Sequence, residues 1–204
     1  MNTFSHRAIT SSFAPPPLSS ASAPISLQQW LDLASSKGAS QVDPAEATWQ
    51  VPCDHRTLYF RHRLTVTESV LLQTIRYSDD DEQRWQAAEQ LWAINPTHAE
   101  SPILRAKDLG IYLQGHSVTL LVGILIKPHQ QRLILIRLLP MGAKPYLPPG
   151  LMLTGQDGTD ATVFSIQSRQ QDDCLQFKFT AAMGDRLQLH ISWNTTRVTE
   201  HFIV

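Results

Sequence analysis

Nine consecutive residues, Val118 to Ile126, are apolar except for Thr119 and Gly123, and this run limits the fold most. It is far too short to cross a bilayer, which takes about 20 apolar residues. Val118, Leu120, Val122, Ile124 and Ile126 share one parity, while Leu121 and Leu125 occupy the other. The run therefore predicts a strand covered on both faces. Leu133 to Leu138 repeats the pattern, with Arg132 and Arg137 as its polar exceptions. Further on, Leu187, Leu189, Ile191 and Trp193 alternate with Gln188, His190, Ser192 and Asn194. That is the signature of a strand with one wet face, so these four large side chains are expected in a core. Strands are also predicted over Val163–Ile166, Leu175–Phe179 and Thr196–Val204. The segment after Pro148-Pro149 reads as an edge or broken strand, because proline cannot donate to a ladder. Turn signals recur about every 8 to 12 positions, with no helical crossover between strands. The expectation is an α+β chain, predominantly β, whose residues 116–204 form an antiparallel immunoglobulin-like β-sandwich.

The chain before that point is of another kind. Residues 1–24 are rich in Ser, Ala and Pro, with Pro15-Pro16-Pro17 and one charged side chain, Arg7. Such a segment has little to bury and reads as a disordered tail. Residues 25–110 read as a small, partly helical region. Leu27, Trp30, Leu31 and Leu33 fit one face of a short helix. Leu58, Phe60, His62, Leu64 and Val66 alternate with Tyr59, Arg61, Arg63 and Thr65, which favours a half-buried strand over a helix entering from Asp54. Asp79-Asp80-Asp81-Glu82 opens the clearest helix: carboxylates at a helix start cap free N–H groups and meet the positive end of the dipole. Trp85, Ala88, Leu91, Trp92 and Ile94 are expected to form its apolar stripe, and Asn95-Pro96 stops it. A helical turn is expected near Leu104 to Leu109.

Seventeen Lys and Arg against eighteen Asp and Glu leave a net charge of -1, which argues against a nucleic-acid partner. His55, Arg56, Arg61, His62 and Arg63, interleaved with Tyr59 and Phe60, form the one basic-aromatic cluster, and a solvated strand face accounts for it. The two cysteines, Cys53 and Cys174, read as separate free thiols. No secretory signal core and no membrane-spanning run is visible, so a cytoplasmic protein without membrane insertion is expected.

Sequence signatures of catalysis are lacking: there is no P-loop, His-Glu-x-x-His, Gly-x-Ser-x-Gly or Cys-x-x-Cys pattern. His190 and His201 fall on consecutive strands and have no third ligand nearby in sequence. Neither a metal nor a cofactor is expected. The feature best suited to recognition is Tyr146, flanked by Pro145 and by Pro148 and Pro149, because a stiff aromatic lip costs little entropy to order.

Several segments carry a family resemblance. They are Pro140–Leu153 with its Tyr146-Leu147-Pro148-Pro149 core, Leu175-Gln176-Phe177-Lys178-Phe179 followed by Gly184-Asp185-Arg186-Leu187, and the ending Arg197 to Val204. Asp108 to Val122 fits as well. Together these resemble a family of uncharacterised cyanobacterial proteins, domain-of-unknown-function family 1822, over about ninety C-terminal residues. The resemblance implies a cyanobacterial, cytoplasmic protein and brings no functional residues with it. The expected role is a non-enzymatic protein-interaction or scaffolding protein with another protein as partner. The alternative is an accessory binding domain for a small molecule or carbohydrate, using Tyr146 and Trp193.

Overall fold

The computed structural model of the chain describes residues 23–35, 48–52, 66–110, 113, 115–127, 131–142 and 144–204. The Pro-rich residues 1–22, Cys53 and the cluster at 55–63 lie outside them. The elements in order are β1 (Ile25–Ser26), α1 (Leu27–Ser35), α2 (Glu68–Tyr77), α3 (Asp81–Ile94) and β2 (Ile103–Asp108). There follow β3 (Val118–Ile126), β4 (Arg132–Pro140), β5 (Met152–Asp157) and β6 (Thr162–Gln167). The last three are β7 (Leu175–Ala181), β8 (Arg186–Trp193) and β9 (Thr196–Ile203).

These strands form two open sheets, one ordered β2-β3-β4-β7 and the other β1-β9-β8-β5-β6. The immunoglobulin-like β-sandwich expected for residues 116–204 is not built. Neither sheet closes, and each keeps two edges. The chain makes the meander β2-β3-β4, crosses to the other sheet for β5 and β6, returns for β7 beside β4, then leaves again for β8 and β9. Strand β1 pairs with β9 in parallel. Two layers would not account for β3 and β4 in any case, because their two faces have different covers.

One parity of β3 and β4, including Leu120, Val122, Ile134 and Ile136, shares a cluster with Leu153, Leu189, Ile191 and Phe202 of the five-stranded sheet. The other parity, with Leu121, Leu125, Leu133 and Leu135, packs against Leu71 and Ile75 of α2 and Trp85, Ala88 and Leu91 of α3. The architecture is therefore mixed α+β, with a helical layer on one face of the four-stranded sheet. Gly123 explains how close that layer comes: a Cβ there would lie 2.7 Å from the Trp85 ring. Gly155 makes the equivalent space for Phe164, whose ring a Cβ would meet at 2.2 Å.

The run at 79–82 works as the sequence predicts. Asp80 is the N-cap, its carboxylate accepting from Glu82 N at 2.8 Å and Gln83 N at 3.3 Å. Asp81 reaches Lys127 at 2.8 Å and accepts from Thr180 Oγ1 at 3.1 Å, while Glu82 reaches Lys178 at 2.6 Å. The same carboxylates that start the helix thus tie it to β7 and to the turn after β3. Buried Arg84 donates to Ile75 O and Ser78 O, satisfying carbonyls at the end of α2 that the helix leaves free.

Two local expectations need correction. Residues 103–108 form strand β2 rather than a helical turn, because pairing with β3 satisfies the backbone. Strand β5 is neither edge nor broken: it starts after the prolines, at Met152, and lies between β8 and β6. Helix α1 inserts Leu27, Trp30 and Leu31 into the cluster shared by the sheets. Trp30, Trp49 and Phe202 meet there with ring centroids 5.2 to 6.3 Å apart.

Candidate functional site

The loop from β4 to β5 holds the lip predicted around Tyr146, and a second loop fastens it. Leu147 N–H donates to Asp172 O at 2.8 Å, and Gly150 N–H to Ser168 O at 3.0 Å. Ser168, nearly fully buried, works through its side chain as well. Its hydroxyl donates to Pro148 O at 2.7 Å and accepts from Leu151 N at 2.9 Å. Gly150 has φ of 81°, a left-handed conformation that glycine adopts without strain. Leu147 and Leu151 are buried in the main cluster and hold the loop down from below.

Trp193 completes the anchoring. Its indole N–H donates to Pro149 O at 3.1 Å, and the edge of its ring meets His116 at 4.2 Å between centroids. It is half-buried, in contrast to Leu187, Leu189 and Ile191 on the same face, which are buried as expected. The polar end of the indole draws it to the rim of the core, where a carbonyl is within reach. Met141 N–H donates to Ser117 O at 2.8 Å, bringing the start of the loop to the same end of the sheets. On this fixed base Tyr146 remains 46% exposed and Met141 41%. Lys144, Pro145 and Pro149 are exposed beside them.

The other sequence candidates are placed differently. His190 and His201 are not opposite one another: His190 faces Thr199 and His201 faces Gln188. The His190 ring nitrogens lie 2.8 Å from Gln156 Oε1 and 3.0 Å from Thr199 Oγ1. Burial, reinforced by the charges of Arg197 and His201, holds its pKa below the usual imidazole value. Burial pushes the Cys174 thiol up to about 11, the reverse of what a nucleophile needs. Among the described residues, no group of three or more His, Cys, Asp or Glu is placed to hold a metal ion, and no helix is long and apolar enough to cross a membrane.

Sequence reasoning missed two buried ion pairs. Arg137 Nη2 lies 2.8 Å from Glu89 of α3, and its Nε and Nη2 donate to Gln176 Oε1. Lys107 Nζ lies 2.6 Å from Glu200 and 5.8 Å from the centroid of the Trp49 ring. Arg137 was visible as a polar break in an apolar run, but its partner lies on another element.

A family model described as "Protein of unknown function (DUF1822)" matches residues 7–203. The chain belongs to that family. The match corrects the expectation that the resemblance is confined to the C-terminal ninety residues, since the DUF1822 unit also takes in the helices and β2. Packing gives the reason: Trp85 and Leu91 cover one face of β3 and β4, so the C-terminal strands and the helical layer share a core. No curated protein and no solved structure matches the chain.

Proposed function

We propose that this DUF1822 protein acts by binding another protein, without catalysis, and that the Tyr146 end of the sheets is its contact surface. The observation that carries the reading is the fastening of residues 147–151 by Ser168, Asp172 and Trp193 beneath a half-exposed tyrosine. Ordering a loop on binding costs free energy, and here that cost has been met in folding. Tyrosine suits such a place because its large ring buries area while its hydroxyl finds a partner. A cytoplasmic location goes with the reading, and the free thiol of Cys174 supports it. Cell fractionation tests that location, and recovery in a membrane or exported fraction would refute it.

The test of function places a photo-crosslinking residue at position 146 and, as control, at position 199, on the polar face of the five-stranded sheet beside His190. A discrete protein adduct from 146 alone is expected, and Tyr146→Ala should reduce capture of that protein at least about tenfold, the loss of a 1.4 kcal/mol contact. Capture unchanged by Tyr146→Ala would sink the proposal. Glycan binding that disappears in the same variant would instead establish the accessory-domain alternative.

A further inference from the structure

A pocket of about 230 Å3 lies at the end of β5 opposite the Tyr146 loop. Its floor is the outer face of the five-stranded sheet, where Gln188 of β8 pairs with His201 of β9. The turn from β5 to β6 walls one side with Asp157, Gly158 and Asp160, and the start of β8 adds Arg186. Pro24, just before β1, and Ile203 of β9 close the side away from that turn.

Farther along the same face, polar side chains satisfy one another. His190 lies within hydrogen-bond reach of Gln156 and Thr199, and Thr154 within reach of Ser165. In the pocket that mutual pairing stops. Asp157 is consumed by its own turn, accepting from Thr159 N at 2.8 Å, Thr159 Oγ1 at 2.6 Å and Ala161 N at 3.1 Å. The side chains of Asp160, Arg186, Gln188 and His201 make no hydrogen bond to any described residue. Asp160 and Arg186 carry opposite charges and line one pocket, yet they form no ion pair. The turn packs on the Arg186 stem instead: a Cβ on Gly158 would lie 3.4 Å from Arg186 Cβ.

We propose that this pocket binds a free amino acid, its carboxylate on the Arg186 guanidinium and its ammonium on the Asp160 carboxylate. Size and charge select the class. The pocket is smaller than the roughly 300–1,000 Å3 of sites for drug-sized ligands, so its occupant is a small molecule. A plain anion would meet the Asp160 carboxylate and a plain cation the Arg186 guanidinium, and like-charge contacts are costly. A neutral polyol would leave both charges without a counter-charge. A zwitterion answers both, and the guanidinium fork matches a carboxylate. Asp157 adds negative charge to the turn, the side on which the ammonium lies. Gln188 and His201 are left to meet polar groups of the ligand, while Pro24 and Ile203 offer apolar surface to its carbons. The pocket shares no residue with the Tyr146 surface, so ligand binding here stands apart from the protein contact there.

Amide NMR titration of the full chain with each of the standard free L-amino acids, up to about 10 mM, tests the assignment. At least one is expected to bind with a Kd of about 1 mM or tighter, shifting amides of residues 157–160, 186–188 and 201–203. Arg186→Gln and Asp160→Asn should each weaken it at least about tenfold. Arg186 is exposed, and asparagine tolerates the left-handed φ of 62° at position 160, so both variants should keep the native spectrum away from the pocket. Acetate and methylammonium, with one charge each, should bind at least about tenfold more weakly than the amino acid. The proposal is overturned if no amino acid shifts these amides, if the shifts fall elsewhere, or if both variants bind like wild type. Glucose that binds here when no amino acid does would overturn it as well.

Discussion

The two sheets bury their residues by different rules. In β3 and β4 both parities are inaccessible, down to Thr119 and Arg137, because one face meets the other sheet and the opposite face lies under α2 and α3. In β8 and β9 burial alternates, with Leu187, Leu189 and Ile191 inside and Gln188, His190 and Ser192 on a face that no described residue covers with an apolar cluster. A two-faced strand depends on a partner brought from elsewhere in the sequence. A one-faced strand needs only the sheet across from it. The difference explains why the four-stranded sheet takes a helical layer from before position 110 onto its second face.

The largest expected effect breaks that dependence. A fragment of residues 116–204 lacks the cover that Trp85, Ala88 and Leu91 give to Leu121 and Leu135, and lacks β2 as well. It should show no cooperative urea transition. A fragment that unfolds cooperatively with full-length stability would show that the helical layer is dispensable to the sheets.

Point substitutions sharpen the comparison. Ile134→Ala and Leu135→Ala are neighbours on opposite faces of β4, and each should cost about 2–5 kcal/mol through lost transfer energy and a cavity. On β8 the cost should alternate: about 2–5 kcal/mol for Leu189→Ala and under about 0.5 kcal/mol for the neighbouring Gln188→Ala. Chemical denaturation of the four variants decides it. Alternation in β4, or equal losses in β8, would contradict the assignment of covers.

The smallest effect concerns the tie between the helical layer and the four-stranded sheet. Burial would raise the Asp81 pKa, but hydrogen bonds from Lys127 and Thr180 and the charges of Lys127 and Arg84 together hold it below the ordinary carboxylate value. A folded pKa below the unfolded value near about 3.9 contributes stability that is full above that pH and lost as pH falls through the folded value. The stability gap between wild type and Asp81→Asn should therefore be constant from pH 7 to 5 and shrink below about pH 4. A gap that widened on acidification would reverse the inferred sign.

Much of the local structure was legible because period and punctuation are local signals. Alternation placed β8, the apolar runs placed β3 and β4, and the carboxylates with Asn95-Pro96 bounded α3. Which sheet a strand joins was not legible, since β7 and β8 look equally able to follow β6. The double burial of β3 and β4 was visible too, but its outer cover comes from helices whose contacts are distant in sequence. Strand β2 shows no period of its own, with only Leu104 buried, and is defined by its pairing with β3. At the candidate site, Tyr146 and its prolines announced a stiff loop. The residue that fixes it, Ser168, is a lone serine on another loop, and nothing in its neighbourhood signals that its hydroxyl serves Pro148 and Leu151.

The parallel pairing of β1 with β9 sets an order of events during synthesis. Ile25 and Ser26 find their strand partners only in Phe202 and Ile203. Trp30, just beyond them, packs against the same Phe202. While the chain grows from its N-terminus, β1 has no ladder to join, and one side of the tryptophan cluster is open to water until β9 has been made. Helices α2 and α3, together with the meander β2-β3-β4, contain most of their own partners and are free to assemble earlier. The segment translated early is thus among the last to be locked, and the closing strand of the five-stranded sheet acts as the latch.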